Sequence, residues 1–97
     1  KPCGGVEVHV TDRRKVDAFY AYRVMIEKAR AQNKAKFAWR KPPYEYEFIK
    51  PPIDILCGTS DVREAIEAGR PVRRFKPSFE SEARAFEVIR KPYLMYR

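Results

Sequence analysis

At 97 residues the chain is long enough for one modest core, since a domain of this size removes roughly 60–65% of its unfolded surface from water, and residues 1–97 read as a single domain. With 44% apolar and 13% aromatic residues set against 35% charged, disorder is excluded, and no apolar run approaches the roughly 18 residues of a membrane span. A formal charge of +8 favours anionic surroundings such as nucleic acid, anionic lipid or acidic cell-wall polymer, although the cations are scattered, with short clusters only at Arg13, Arg14, Lys15 and at Arg70, Arg73, Arg74, Lys76.

Val6, Val8 and Val10 alternate with Glu7 and His9, the period-two pattern of a half-buried strand. This pattern begins within a few residues of Lys1, which leads one to expect an excised fragment. Thr11 and Asp12 offer capping oxygens for a helix expected over about Arg14 to Gln32, with Val16, Phe19, Tyr20 and Ile26 on its apolar stripe. Arg23 falls on that same stripe, so either its stem packs and its head reaches outward to water, which is the preferred reading, or its guanidinium meets a buried acid. Phe37 and Trp39 alternate before Pro42 and Pro43 and read as a short strand. Tyr44, Glu45, Tyr46, Glu47 and Phe48 then give a second strict alternation, read as a strand or extended arm.

Beyond Pro51 and Pro52, the apolar segment Ile53, Ile55, Leu56 is compatible with a strand or a helical turn. Thr59, Ser60 and Asp61 supply N-caps for a helix to about Ala68, and Gly69 stands where a left-handed C-terminal cap belongs. A last helix follows Pro77 and Ser78, is expected to bury Phe79, Ala83, Phe86 and Ile89, and ends at Pro92.

The chemistry-bearing candidates are few. His9 is the sole histidine and Cys3 and Cys57 the two cysteines; their spacing fits no metal motif, so neither metal nor cofactor is expected, and whether the thiols pair stays open. Glu45 and Glu47 would stand about 7 Å apart on one strand face, near the lower limit for an inverting glycosidase pair, but alternating glutamates are also what a solvent-facing strand carries, and that reading is preferred. No nucleophile elbow or phosphate loop surrounds any serine, threonine or cysteine. The aromatic stretch of Phe37, Trp39, Tyr44 and Tyr46 could stack on bases or sugar rings, and is read first as core.

Several blocks in order carry a family resemblance. Cys3-Gly4-Gly5-Val6-Glu7-Val8-His9-Val10-Thr11-Asp12 resembles the C-G-G-V-x-[IV]-H-V-T-D opening of the C-terminal domain of NamZ-type exo-β-N-acetylmuramidases. Phe37-Ala38-Trp39-Arg40, Pro42-Pro43-Tyr44-Glu45-Tyr46-Glu47, Pro52-Ile53-Asp54-Ile55-Leu56-Cys57-Gly58-Thr59 and Val62 to Gly69 follow in the family's sequence of motifs, as does the tail Pro92-Tyr93-Leu94-Met95-Tyr96. The chain departs from the family pattern at Ala18, Tyr22 and Arg23. The resemblance implies a part of a bacterial, secreted or periplasmic glycosidase that degrades peptidoglycan by releasing N-acetylmuramic acid from non-reducing ends. It implies a catalytic, Rossmann-like N-terminal domain in the same polypeptide, with this chain forming a wall of the cleft for muramoyl saccharides and no catalytic residue of its own. His9, Arg13, Tyr44 and Tyr46 are the residues expected to line that wall, where an arginine could hold the lactyl carboxylate of muramic acid bidentately.

The expected fold is α+β: a small sheet from the Val6 and Tyr44 regions covered by one long helix and two shorter C-terminal ones. The competing reading is a small basic nucleic-acid-binding module, supported by charge and aromatics without a recognised motif.

Overall fold

The computed structural model describes residues 2–96. Its elements in chain order are helix α1 (Ala18–Gln32), α2 (Pro52–Cys57), α3 (Asp61–Glu67), a 3₁₀ turn at Val72–Phe75, α4 (Lys76–Arg90) and a second 3₁₀ turn at Lys91–Tyr93. Among the described residues there is no strand, which corrects the expected α+β sheet to an all-helical arrangement.

The reason is visible in each segment. Val6, Val8 and Val10 alternate as a strand would, yet all three are exposed, and among the described residues no other segment forms a strand beside them. Alternation specifies which face a strand buries, but a strand forms only where a partner takes up its amides and carbonyls. At Tyr44 the alternation is cut short by a tight reversal, because Glu45 takes a positive φ of 52°. Tyr44 and Glu47 then exchange backbone hydrogen bonds of 2.9 and 3.0 Å. Phe37 and Trp39 meet edge to face at 4.9 Å outside any regular element.

The first helix starts four residues later than the sequence pattern suggests. Two aspartates compete to cap it. Asp12 accepts from the amide, Nε and a terminal nitrogen of Arg14 at 3.0, 3.1 and 3.2 Å, closing a turn over residues 12–15. Asp17 is left as the N-cap, accepting from the Tyr20 amide at 2.9 Å. At its other end α1 stops at Gln32 as expected.

The core is small: Val62, Ala65 and Ile66 of α3 with Val72 of the following turn are the buried apolar residues, and Tyr20, Ile26, Trp39, Cys57 and Phe79 pack around them. Polar ties hold the helices about this centre. Arg63 grips Asp54 through Nε at 2.9 Å and a terminal nitrogen at 2.9 Å, fastening α3 to α2. Glu27 of α1 accepts the Val72 amide at 2.6 Å, and Arg30 donates to the Glu67 carbonyl at 3.1 Å, placing a cation on the carbonyl end of α3. That end carries the Schellman pattern expected of Gly69: its φ is 70°, its amide reaches the Ile66 carbonyl at 3.1 Å and the Arg70 amide reaches Ala65 at 2.8 Å.

α4 begins at Lys76, with Pro77 and Ser78 inside its first turn, where proline is tolerated. It departs from expectation in burial. Phe79 is half-buried, but Ala83, Phe86 and Ile89 are exposed, since no element among the described residues covers that face. The openness extends to the whole chain: its radius of gyration is 16.2 Å against about 13 Å for a compact chain of this length. Its accessible surface is 8838 Å² against about 5,800 Å² for a compact monomer of its mass. No helix among the described residues is long and apolar enough to cross a membrane.

Candidate functional site

The residues expected to line a cleft fall on the loops before α1 and α2. His9 lies in the extended segment ahead of the Asp12 turn, with its Nε2 3.4 Å from Glu7 and both side chains largely in water. It borders a shallow hollow of about 240 Å³ together with Thr11, Asp12 and Lys15. Arg13 is exposed within the adjoining turn. Arg14 holds the Asp12 carboxyl below the usual aspartate range by side-chain and backbone hydrogen bonds.

The tyrosines belong to a different loop. Tyr44 is half-buried at the base of the reversal, while Tyr46 at its tip is 95% exposed. The hollow that His9 borders includes neither; His9 and Arg13 belong to the loop before α1, and Tyr44 and Tyr46 to the loop before α2. Because the chain reverses at Glu45, Tyr44 and Tyr46 do not share a strand face, and neither do Glu45 and Glu47. Glu47 accepts the Ile49 and Lys50 amides at 2.8 and 3.1 Å, which lowers its carboxyl below the ordinary range. That is the reverse of the raised value a glycosidase acid requires, so the carboxylate acts as a cap for the loop backbone.

The feature that sequence reading placed wrongly is Arg23. Its head does not reach water; the residue is 2% exposed, with its guanidinium carbon 3.3 Å from the Phe19 ring centre and 3.8 Å from that of Phe79. Cation–π contact offsets part of the lost hydration, but Nε has no hydrogen-bond partner. Burial pulls the guanidinium down from its ordinary value, opposed by Cys57 and Asp17. The same burial pushes the Cys57 thiol up, with Arg23 opposing. The sequence signal was present in the position of a cation on the apolar stripe of α1; Phe79, 56 positions further along the chain, could not be paired with it from spacing.

Arg23 borders two clefts. One also contains Asp17, Phe19, Tyr20, Lys76, Phe79 and Glu80. The other lies between α1 and α2, has a volume of about 460 Å³ and is walled by Phe19, Tyr22, Ile26, Ile53 and Leu56 with Cys57. Among the described residues no group of three or more His, Cys, Asp or Glu side chains stands close enough to hold a metal ion.

Comparison with known proteins gives this arrangement its family. No solved structure matches the chain. The peptidoglycan beta-N-acetylmuramidase NamZ of Bacillus subtilis (strain 168) is 32% identical over 95 residues, which is 97% of this chain and 21% of that protein. The chain therefore spans about a fifth of the length of the curated relative it matches. Residues 1–96 match the family described as the C-terminal part of the exo-beta-N-acetylmuramidase NamZ, and the chain belongs to this family.

Proposed function

We infer that the chain is the auxiliary C-terminal domain of an exo-β-N-acetylmuramidase-like peptidoglycan hydrolase, completing a substrate cleft whose larger share belongs to a Rossmann-like catalytic domain of the same polypeptide. The observation that carries this reading is the family match over residues 1–96 in a chain corresponding to 21% of its relative.

Two features of the structure support it. The chain leaves far more surface open than a compact monomer of its mass would, as a module completed by another domain does. Its paired glutamates do not form an acid–base couple, since Glu47 is committed to two backbone amides. Its part in the reaction is then to position substrate. His9, Arg13 and Tyr46 are exposed and Tyr44 is half-buried, so on this reading they face a saccharide held mainly by the other domain. Arg13 is the group suited to the lactyl carboxylate of a muramoyl unit, because a guanidinium offers two parallel donors to one carboxylate.

The test is release of N-acetylmuramic acid from the non-reducing ends of muramoyl oligosaccharides by three proteins: the full-length polypeptide, the same polypeptide without residues 1–97, and the 97-residue chain alone. The expected result is activity in the first, none in the third, and in the second a kcat/KM lower by about 100-fold, the scale of loss when a positioning wall is removed. Cleavage by the chain alone, or full activity without it, overturns the reading. Arg13→Ala in the full-length polypeptide is expected to raise KM more than it lowers kcat.

A further inference from the structure

We propose that the cleft between α1 and α2 seats a segment from the rest of the polypeptide, one that brings an aspartate or glutamate to the Arg23 guanidinium inside a collar of apolar side chains. This rests on the reading of the chain as an auxiliary domain and adds to it the docking surface and the chemistry that occupies it.

Arg23 poses the question that the segment answers. It is the most buried residue bordering the cleft, it carries a full charge, and among the described residues no carboxylate forms an ion pair with it. Two phenylalanine rings and the Cys57 thiol lie against it, Asp17 attracts it without forming an ion pair, and its Nε is unsatisfied. A cation taken out of water is retained when an anion compensates it, and a guanidinium edge accommodates a carboxylate better than any other partner. The second cleft that Arg23 borders already holds two carboxylates, Asp17 and Glu80, against the one further cation Lys76, an excess that disfavours an incoming carboxylate. The approach therefore lies through the α1–α2 cleft, where Phe19, Tyr22, Ile53 and Leu56 provide an apolar collar that excludes water from the pair.

Area and charge indicate the occupant. The surface left open beyond that of a compact monomer, about 3,000 Å², exceeds several-fold the roughly 800 Å² that each partner of a stable complex buries. A second copy of this chain would bring +8 against +8 and repel it. The greater part of the relative's length lies outside the matched region, so the covering segment is assigned to that remainder.

The experiment places the photo-crosslinking residue p-benzoylphenylalanine at Leu56, on the exposed rim of the cleft, in the full-length polypeptide. Irradiation is expected to give an intramolecular crosslink, mapped by mass spectrometry to a peptide outside residues 1–97 that contains Asp or Glu. Arg23→Met is expected to lower that yield by about 10-fold, and Arg23→Lys to restore part of it. No crosslink, a crosslink between two molecules, or one confined to a peptide without an acid overturns the proposal. The yield from Leu56 with Arg23 intact decides the matter even if Arg23→Met fails to fold. Failure here leaves the auxiliary reading standing if removal of residues 1–97 still lowers muramidase kcat/KM by about 100-fold; if that removal has no effect, the auxiliary reading fails first.

Discussion

The Glu27–Val72 hydrogen bond joins α1 to the core, and its removal gives a measurable prediction. Val72 is 1% exposed, and Glu27→Ala removes the carboxylate that accepts its amide at 2.6 Å. A hydrogen bond to a charged group contributes about 1.5–3 kcal/mol, which is also the scale of the penalty for a buried donor left unsatisfied, so the two are counted once. The Glu27 side chain is 24% exposed and its contact with Lys28 spans 3.6 Å, a surface pair contributing about 0–1 kcal/mol. Glu27→Ala should therefore cost about 2–3 kcal/mol, whereas Glu27→Gln keeps an acceptor oxygen and should cost only about 1 kcal/mol. Urea unfolding followed by far-UV circular dichroism and by the fluorescence of Trp39, which packs beside the core, reads both values. Equal losses for the two variants, or a loss under about 0.5 kcal/mol for alanine, would refute the claim that a charged acceptor ties α1 to the core.

Asp54→Ala removes the carboxylate that Arg63 grips at 2.9 Å and should cost about 1.5–3 kcal/mol, read as a lower urea midpoint; an unchanged midpoint would mean that α2 and α3 hold together without the clamp. Glu45→Gly relieves a side chain held at φ 52° and should stabilise by about 0.5–1 kcal/mol in the same assay, with a destabilised variant as the contrary result. The Glu47 carboxyl is lowered in the folded chain, so its contribution is present above its unfolded value and is lost as pH falls through the folded one. The Ile49 and Lys50 amides should thus lose protection in acid well before α3 unfolds, and Glu47→Gln should remove that pH dependence; loss of protection at neutral pH instead would contradict it.

Local signals in the sequence were reliable where a structure is made locally. Gly69 ends α3 because a Schellman turn needs a left-handed residue at that one position, and helices do occupy the α1 and α4 regions, although α1 starts four residues late and α4 begins just before Pro77. What could not be read was everything that depends on a distant partner. The valines near His9 alternate correctly, but a sheet needs a second strand, and the Tyr44 segment that would have supplied it turns back at Glu45. Arg23 was legible as a cation on an apolar stripe, yet its burial depends on Phe79 of α4. The bond from Glu27 to Val72 likewise spans 45 positions. Asp12 and Asp17 are both acceptable caps by type, and the choice falls to Asp17 because Arg14 engages Asp12. Of the four cleft candidates, exposure of His9, Arg13 and Tyr46 follows from their loops, whereas the half-burial of Tyr44 depends on packing that spacing does not reveal.

The most direct measurement is hydrogen exchange of the 97-residue chain compared with the same residues inside the full-length polypeptide. If the chain is a module whose open apolar face is covered by another domain, amides of α1 and α2 should exchange more slowly in the full-length protein, while those of α3, already at the core, should change least. Identical exchange along α1 and α2 in the two proteins would show that nothing covers this face and would contradict the auxiliary-domain reading.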